Sequence, residues 1–353
     1  MRRPSPSLAA VALASALVCS CSSGSSTTTA TAGATSSGGA TPVTLTIGLP
    51  TSVTSFANAD VAVAQAQGYF RDEGLTVHVK NLASGVPVVQ GVVGGSLDIG
   101  ANSIEPVVNA DAQGGGLVII GSYADRLTVS MVTPTSIPTP QQLRGKRLGI
   151  QTVGAFREVM TRMVIQDAGL TQSDVKYVPV SSDGYIGALI QGTIQSAILQ
   201  QEQVTDVLQR DHNVHVLVNM YTDKPDYFYG TYAVTKTWLA SHQDAAQRFL
   251  TAIVRAHRFM YQNKAATVAT VAQATGFSPQ VIGQAYDVLL GHEGVFAVNE
   301  GIDPARIGAT IQTMQHYKTL TGTAPAVSSL VDTAPISAVV EQLGAWTGDP
   351  RWH

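Results

Sequence analysis

The sequence predicts an α/β protein with two lobes and a helical C-terminal tail. Strand-like and helix-like segments alternate from Val43 to about Val234, a pattern typical of mostly parallel sheets with helices on their faces. A proline-rich stretch at 133–140 interrupts the alternation, which then restarts as expected for a second sheet. The chain of 353 residues is also too long for one small core.

The first cycle of elements begins with a strand at 43–49, where apolar and polar residues alternate at a period of two. Apolar residues at helical spacing then predict a helix at 60–70, with Gly68 beside its end. The same reasoning predicts strands at 75–79, 97–100 and 117–120, and helices at 86–94 and 106–113.

The second cycle follows the proline-rich stretch. Strands are predicted at 146–150, 175–180, 197–199 and 214–218, and helices at 156–168, 185–191 and 204–210. An extended aromatic segment at 226–234 ends this cycle. The rest of the chain is predicted to be helical, at 243–262, 264–274, 279–290, 304–320 and 335–343.

The N-terminus has the organisation of a secretory signal. Two arginines precede an apolar run at 8–18, which is too short to span a bilayer. The next residues, with Ser20 before Cys21, resemble the lipobox of bacterial lipoproteins, in which the cysteine after a small residue carries the lipid. We therefore expect a signal peptide at 1–20 and a lipidated Cys21. Lipidation of Cys19 and an ordinary signal peptide are the alternatives.

Residues 22–42 contain only Ser, Gly, Thr, Ala and Pro. Such a segment cannot bury enough apolar surface to offset its ordering entropy, so we predict that it is disordered. A flexible coil of this length reaches about 25 Å in root-mean-square terms. Residues 21–42 are therefore expected to tether the folded body to a membrane surface.

The composition excludes several classes of protein. The net charge is −3 and 13% of residues are charged, with no basic block, which argues against a nucleic-acid partner. Both cysteines lie before residue 22, so we expect no disulfide in the folded body. Motifs of hydrolases, metalloproteases and P-loop enzymes are lacking from the sequence. No cofactor, metal site or catalytic residue is predicted.

Three segments carry a resemblance to a known family. They are 64–77 (AQAQGYFRDEGLTV), 95–100 (GSLDIG) and 142–150 (QLRGKRLGI). In order and spacing they resemble the solute-binding proteins of ABC importers for nitrate, sulfonates, taurine and pyrimidine precursors, the thiamine-precursor-synthase-like superfamily. The similarity extends over 43–343.

The resemblance implies a two-lobed clamp of the periplasmic-binding-protein type II fold. Two crossing strands are expected near 127–132 and 229–234. Mapped onto this chain, lobe 1 comprises 43–130 plus 234–353, and lobe 2 comprises 135–228. The crossings coincide with the breaks in the alternating pattern.

The resemblance also implies a function. We expect an extracytoplasmic monomer, anchored to the membrane only through Cys21, that delivers a small polar or anionic organic molecule of the sulfonate, taurine or nitrate class to an ABC permease with its ATPase. A pyrimidine-type nitrogen heterocycle is the alternative ligand. A secreted enzyme using Glu105 or Glu202, or a receptor feeding a sensor, are the other classes. Pyrimidine-synthase relatives carry a cysteine-rich segment that the folded body lacks, so an enzyme is not expected.

Open α/β sheets bind ligands at loops that follow strands and lead into helices, and helix N-termini there suit anionic oxygen atoms. Gly154 permits close backbone approach, so the loop at Thr152 is the preferred anion position. The predicted ligand-binding residues are Thr54, Ser55, Phe56, Asn102, Ser103, Glu105, Arg126, Thr152, Gly154, Ala155, Phe156, Gln200, Glu202 and Tyr229.

These residues also have structural interpretations. Ser103 and Thr152 are explained equally well as helix N-caps, and the three aromatic residues as core residues. Arg126 pairs either with an anionic ligand or with a neighbouring carboxylate. Glu105 argues against a small inorganic anion and for a ligand with a donor group. Many relatives carry an aromatic residue at the position of Gln200, so a relative's ligand does not transfer to this chain.

Overall fold

The computed structural model describes residues 42–348. The predicted signal peptide, Cys21 and the predicted tether up to Thr41 lie outside the described residues. Within the described part of the chain, no helix combines the length and the apolar character that crossing a membrane requires.

The described residues contain two five-stranded sheets. The strands are β1 Val43–Leu49, β2 Leu75–Asn81, β3 Ile99–Ser103, β4 Leu117–Gly121, β5 Val129–Pro134, β6 Arg147–Ile150, β7 Lys176–Pro179, β8 Ser196–Gln200, β9 Val214–Asn219 and β10 Gly230–Thr235. Sheet 1 has the order β2-β1-β3-β10-β4, and sheet 2 has the order β7-β6-β8-β5-β9.

Each sheet contains one antiparallel strand that comes from another part of the chain. In sheet 1, β1 runs parallel to β2 and β3, whereas β10 is antiparallel to β3 and β4, with Thr231 opposite Asn102. In sheet 2, β6 runs parallel to β7 and β8, whereas β5 is antiparallel to β8 and β9. The chain therefore passes between the sheets twice, through a first connecting segment at 122–128 and a second at 220–229.

Helices follow most of the strands. They are α1 Ala59–Ala66, α2 Tyr69–Asp72, α3 Gly85–Val93, α4 Ile104–Asp111, α5 Phe156–Asp167, α6 Tyr185–Ile190, α7 Gln201–Arg210, α8 Met220–Asp223, α9 Lys236–Ser241, α10 Gln243–Gln262, α11 Lys264–Thr275, α12 Pro279–Tyr286, α13 Pro304–His316, α14 Val327–Leu330 and α15 Ala334–Leu343. A short 3₁₀ turn, Phe56–Asn58, precedes α1, and a π-helical segment, Asp287–Glu293, follows α12.

Three predictions about elements differ from the structure. Gly68, with φ of 74°, divides the helix predicted at 60–70 into α1 and α2, because glycine adopts this left-handed conformation at little cost. The short helices α8, α9 and α14 were not predicted, and the first two begin at side-chain caps from Asn219 and Thr235. Residues 226–229 are not part of a strand, since the Tyr227 N–H donates to the Lys224 carbonyl at 3.1 Å in a turn and the Phe228 N–H donates to the Thr310 hydroxyl at 2.7 Å.

A half-buried carboxylate links strand β1 of sheet 1 to helix α9. Asp98 accepts from the Thr46 N–H at 2.7 Å and from Trp238 Nε1 at 3.1 Å. This explains the acidic residue in the GSLDIG segment, because its carboxylate joins β1 to α9. Apolar side chains fill the rest of the interior, with one cluster around sheet 1 that continues into sheet 2 and a smaller one within sheet 2.

Candidate functional site

The carboxyl ends of strands from both sheets meet at one small cavity. It is lined by Pro50, Thr51, Asn58, Gly85, Ser103, Tyr123, Gln151, Phe156, Arg157, Gln200 and Tyr229. Its volume is about 20 Å³, which holds roughly one water molecule. Four predicted site residues, Ser103, Phe156, Gln200 and Tyr229, are thus brought together. Ser103 and Gln200 are the last residues of β3 and β8. Phe156 follows β6, and Tyr229 directly precedes β10.

Direct hydrogen bonds close the cavity. Gln151, which follows β6, donates from Nε2 to the Ala83 carbonyl at 3.0 Å. Ser52, which lies beyond β1, meets Ser182 with the two hydroxyl oxygens 2.8 Å apart. These bonds join loops of sheet 1 to loops of sheet 2, so separation of the two sheets at this edge breaks them.

Several buried polar groups at the cavity have no hydrogen-bond partner. Among the lining residues this holds for Thr51 Oγ1, whereas Asn58 Nδ2 and the Tyr123 hydroxyl lack a bond of ordinary geometry but interact with each other. Asn102 lies behind Gly85, where an added Cβ would stand 2.6 Å from Asn102 Oδ1. Asn102 is 0% exposed and both of its side-chain amide atoms are unpaired. Because each unpaired buried polar group costs about 1–3 kcal/mol, these groups mark a place that a polar ligand or ordered water would stabilise.

The N-terminus of α3 faces the same space. Its first residue, Gly85, lines the cavity, and its N-cap residue, Ser84, is 1% exposed with an unpaired hydroxyl that makes no capping bond. A helix N-terminus presents unpaired N–H groups and a partial positive charge. An acceptor or anionic group of a ligand is therefore stabilised at this position.

Aromatic rings form one wall. Phe156 stacks on Tyr229 with ring centroids 4.5 Å apart, and Tyr123 meets Tyr229 edge-on at 5.5 Å. Gln200 donates from Nε2 to the Tyr229 hydroxyl at 2.8 Å, and its Oε1 accepts from the Thr128 hydroxyl at 2.7 Å. Burial raises the pKa of Tyr229 to about 12, so this hydroxyl stays protonated at neutral pH. The wall offers flat apolar surface with a fixed polar edge.

Arg157 is a site residue that the sequence reasoning missed. It is 2% exposed, and it is the only charged residue among the cavity-lining residues. Its guanidinium donates to the Ile198 carbonyl and, at 3.0 Å, to Gln203 Oε1, and it lies 4.6 Å from the centre of the Tyr185 ring. The available signal was its position directly after Phe156 in the first turn of the predicted helix.

Two predicted acidic residues are buried beside the cavity without lining it. Glu105 accepts from the Tyr227 hydroxyl at 2.7 Å, and Glu202 accepts from the Phe56 N–H at 3.2 Å. The second oxygen of each carboxyl group, Oε2, is buried without a partner. Burial raises the pKa of both groups, while hydrogen bonds to them act in the opposite direction.

The predicted anion position at Thr152 is occupied by the chain itself. Thr152 is exposed, and Gly154, with φ of 79°, donates its N–H to Glu158 Oε2 at 3.0 Å. Glu158 also pairs with Arg162 at 2.8 Å. Ala155 is the buried N-cap residue of α5 and contributes no side-chain bond. The carboxylate of Glu158 therefore satisfies the donor that was expected to bind a ligand.

The loop after β1 reaches the cavity through a residue that was not predicted. Thr54 is half-buried, and Ser55 is buried with its hydroxyl 3.5 Å from Asn58 Oδ1. Phe56 packs on Phe296, with ring centroids 6.1 Å apart, as its core interpretation suggested. The 3₁₀ turn that begins at Phe56 places Asn58 at the cavity.

Arg126 is not part of the cavity. It lines a separate groove with Asp125, and its Nη1 donates to the Tyr221 hydroxyl at 3.4 Å. Within residues 42–348 no cluster of three or more potential metal ligands was found. The ring of His215 makes hydrogen bonds with Thr133 and Ile137.

Comparison with known sequences identifies related proteins. A family profile described as NMT1/THI5 like matches residues 55–267, more than half of the chain. The 4-amino-5-hydroxymethyl-2-methylpyrimidine phosphate synthase of Candida albicans (strain WO-1) is 26% identical over 215 residues, covering 57% of this chain and 62% of that protein. The chain thus matches less than two thirds of the length of this curated relative.

Two solved structures share the fold. The alkanesulfonate-binding protein SsuA from Xanthomonas axonopodis pv. citri, bound to MOPS, superposes with a TM-score of 0.67 at 18% identity, covering 83% of this chain and 99% of that chain. The periplasmic nitrate-binding protein NrtA from Synechocystis PCC 6803 has a TM-score of 0.72 at 11% identity, covering 86% and 90%. At these identities the likeness concerns the fold, and it confirms the predicted α/β clamp.

Proposed function

The chain belongs to the NMT1/THI5-like family, and from this premise and the geometry of the cavity we propose that it is an extracytoplasmic solute-binding protein. Its ligand is a small polar organic molecule held between the two sheets. Its partner is an ABC permease with its ATPase, and Cys21 carries the lipid that anchors the chain through the tether at 21–42.

The unpaired polar groups around the cavity carry this proposal. Folded proteins pair almost all of their buried polar groups, yet Thr51 and Asn102 keep unpaired atoms where β1 and β3 end. Both donors and acceptors are present among them, which suits a ligand with both kinds of group. Relatives of the same fold are named for binding an alkanesulfonate and nitrate, which supports a small-molecule ligand.

Hinge closure is the proposed mechanism. With lobe 1 at 43–130 plus 234–353 and lobe 2 at 135–228, a ligand in the cavity contacts both lobes only in the closed form. Its binding energy then shifts the population towards closure. Because the cavity holds only about one water molecule, the loops joined by the bond from Gln151 to the Ala83 carbonyl must part for the ligand to enter. The importer recognises the surface that closure creates.

Two ligand classes fit different parts of the site. An anionic group, such as a sulfonate, fits Arg157 and the N-terminus of α3. A nitrogen heterocycle fits the Phe156 and Tyr229 rings, with the Asn102 amide as its polar partner. The anion is the primary proposal, since Arg157 is the one charged residue among those that line the cavity. Asn102 Nδ2 can donate to an anionic oxygen, and Asn102 Oδ1 can accept from a donor group elsewhere on the ligand.

An enzyme on the same clamp is the second candidate. The curated relative is named a pyrimidine phosphate synthase, and Glu105 and Glu202 are buried carboxyl groups with raised pKa values, as proton transfer requires. Neither lines the cavity, so binding without turnover is favoured. Recovery of chemically unchanged ligand after prolonged incubation distinguishes binding from catalysis.

Thermal unfolding against a ligand panel tests the proposal. The panel contains sulfonates, carboxylates, nitrate and pyrimidines, each added to protein that was refolded to remove captured ligand. A ligand at about 100 times its Kd stabilises the fold by about 2.7 kcal/mol. The stabilisation should fall to about 1.4 kcal/mol or less in Asn102→Ala, for which we expect at least tenfold weaker binding. It should persist in Arg255→Gln, whose arginine pairs with Asp72 and Glu73. No shift across the panel contradicts the proposed function.

A further inference from the structure

A groove that shares no residue with the cavity carries charges of both signs. It has a volume of about 370 Å³, within the size range of small-molecule sites. It lies between the first connecting segment and the start of α13. Its charged residues are Asp125, Arg126, Glu300, Asp303 and Arg306.

The two arginines of the groove have no acidic partner. In the described part of the chain, Arg126 Nη1 donates to the Tyr221 hydroxyl at 3.4 Å, and Arg306 Nη1 donates to the Pro225 carbonyl at 3.3 Å. Both acceptors are uncharged, and neither arginine forms an ion pair there. A guanidinium has five N–H donors, so each arginine keeps N–H groups that no described residue accepts from.

The three carboxylates of the groove also lack ion pairs among the described residues. Asp303 caps the Ala305 N–H at 2.9 Å, and Glu300 accepts from the Ser337 hydroxyl at 3.2 Å. Asp125 has a buried oxygen, Oδ1, without any partner. Burial raises the pKa of Asp125, and the charges of Arg126 and Arg306 act in the opposite direction. Asp125 and these two arginines are therefore close to one another without forming an ion pair.

Opposite charges that share a groove without contact leave space for a molecule that bridges them. A simple anion would neutralise the arginines and repel the acids, and a simple cation would do the reverse. One molecule that carries both charges satisfies both sets. We propose that the groove binds a small zwitterion of the amino-acid type, with its carboxylate between Arg126 and Arg306 and its ammonium group at Asp125 and Glu300.

Calorimetric titration of the purified chain with α-amino acids tests this site. Each amino acid is compared with its N-acetyl form, which lacks the positive charge, and its methyl ester, which lacks the negative charge. We expect both modified forms to bind at least tenfold more weakly. Arg126→Gln and Arg306→Gln should each weaken binding at least tenfold, whereas Arg255→Gln, whose arginine pairs with Asp72 and Glu73 and does not line the groove, should not.

One further variant distinguishes ligand binding in the groove from ligand binding in the cavity. Asn102→Ala should leave amino-acid binding unchanged, so the test does not depend on the proposed solute-binding function. Lack of binding at millimolar concentrations overturns the proposal, as does binding that survives both glutamine variants. If the N-acetyl form binds as tightly as the amino acid, the groove is a plain anion site. If the methyl ester binds as tightly, it is a plain cation site. Either result refutes the proposal of a zwitterion site. Matching circular dichroism spectra and melting curves of the variants show that a loss is local.

Discussion

Replacement of Asn102 by alanine should affect ligand binding and stability in opposite ways. The side chain is fully buried and both amide atoms lack partners. In the closed form each atom costs about 1–3 kcal/mol, and alanine removes this cost while leaving a small void. We therefore expect the free energy of unfolding without ligand to stay constant or to rise by up to about 2 kcal/mol, and ligand affinity to fall at least tenfold.

Asn109 provides the matched control, because its amide is fully used. Its Nδ2 donates to the Thr319 carbonyl at 3.1 Å, and its Oδ1 accepts from the N–H and hydroxyl of Thr321 at 2.7 and 3.1 Å. At about 1 kcal/mol for each neutral bond, Asn109→Ala should destabilise the protein by about 3 kcal/mol. Ligand affinity should not change, since both amide atoms of Asn109 are bonded to Thr319 and Thr321, and Asn109 neither lines the cavity nor contacts Gly85 as Asn102 does.

Urea unfolding of both variants without ligand, followed by calorimetric titration, measures these effects. Equal m-values ensure that the midpoints report stability alone. If Asn102→Ala destabilises the protein as much as Asn109→Ala, the Asn102 amide is bonded in solution and the reasoning fails. It also fails if Asn102→Ala binds ligand with unchanged affinity.

Three further predictions concern packing and pH. Gly230→Ala adds a methyl group that overlaps the Tyr123 ring, so thermal melting should show a loss of about 1–3 kcal/mol, whereas Gly283→Ala, in open space, should show none. Glu202 is buried where it accepts from the Phe56 N–H, and burial raises its pKa. Under the proposed hinge closure, which would bring these two groups together, ligand affinity measured by calorimetry should be highest at acid pH and fall as the pH rises through that pKa; a persistent slope in Glu202→Gln contradicts this. Burial raises the pKa of Asp125 from 3.8 to about 6. The protonated carboxyl group therefore contributes up to about 3 kcal/mol of stability below pH 3.8, and this contribution is lost as the pH rises to about 6. Asp125→Asn should flatten this part of the stability profile, and identical profiles would refute it.

Local patterns predicted much of the fold because the signals were local. The 20-residue helix α10 has the predicted bounds, Gln243–Gln262, since its apolar positions repeat at helical spacing over five turns. Strand β1 was likewise predicted at its observed bounds. Short helices such as α9 were not predicted. Helix α9 has six residues, too few for a helical repeat of apolar positions to be recognised, and a cap from Thr235 marks its start.

The cavity was only partly predictable because it depends on contacts between distant segments. The loops after strands were identified by position, and so Phe156 and Gln200 were found. Tyr123 lies in a connecting segment that carries no strand or helix signal, and its role depends on the packing of Tyr229 against it. Thr152 was favoured as an anion site, yet Glu158, four residues after Gly154, supplies the anion internally. Neither relation can be seen in a local window of sequence.

Gln200 is bonded to both passages of the chain between the sheets. Its carbonyl oxygen accepts from Thr128 in the first connecting segment, and its amide nitrogen donates to Tyr229 in the second. One amide therefore joins the two connecting segments, and neither can move away from β8 without breaking a bond to it. The donor and acceptor ends also cannot be exchanged, so an isosteric glutamate would lose the donor to Tyr229. Under the proposed hinge closure, the two connecting segments are therefore expected to bend together, because one side chain is bonded to both.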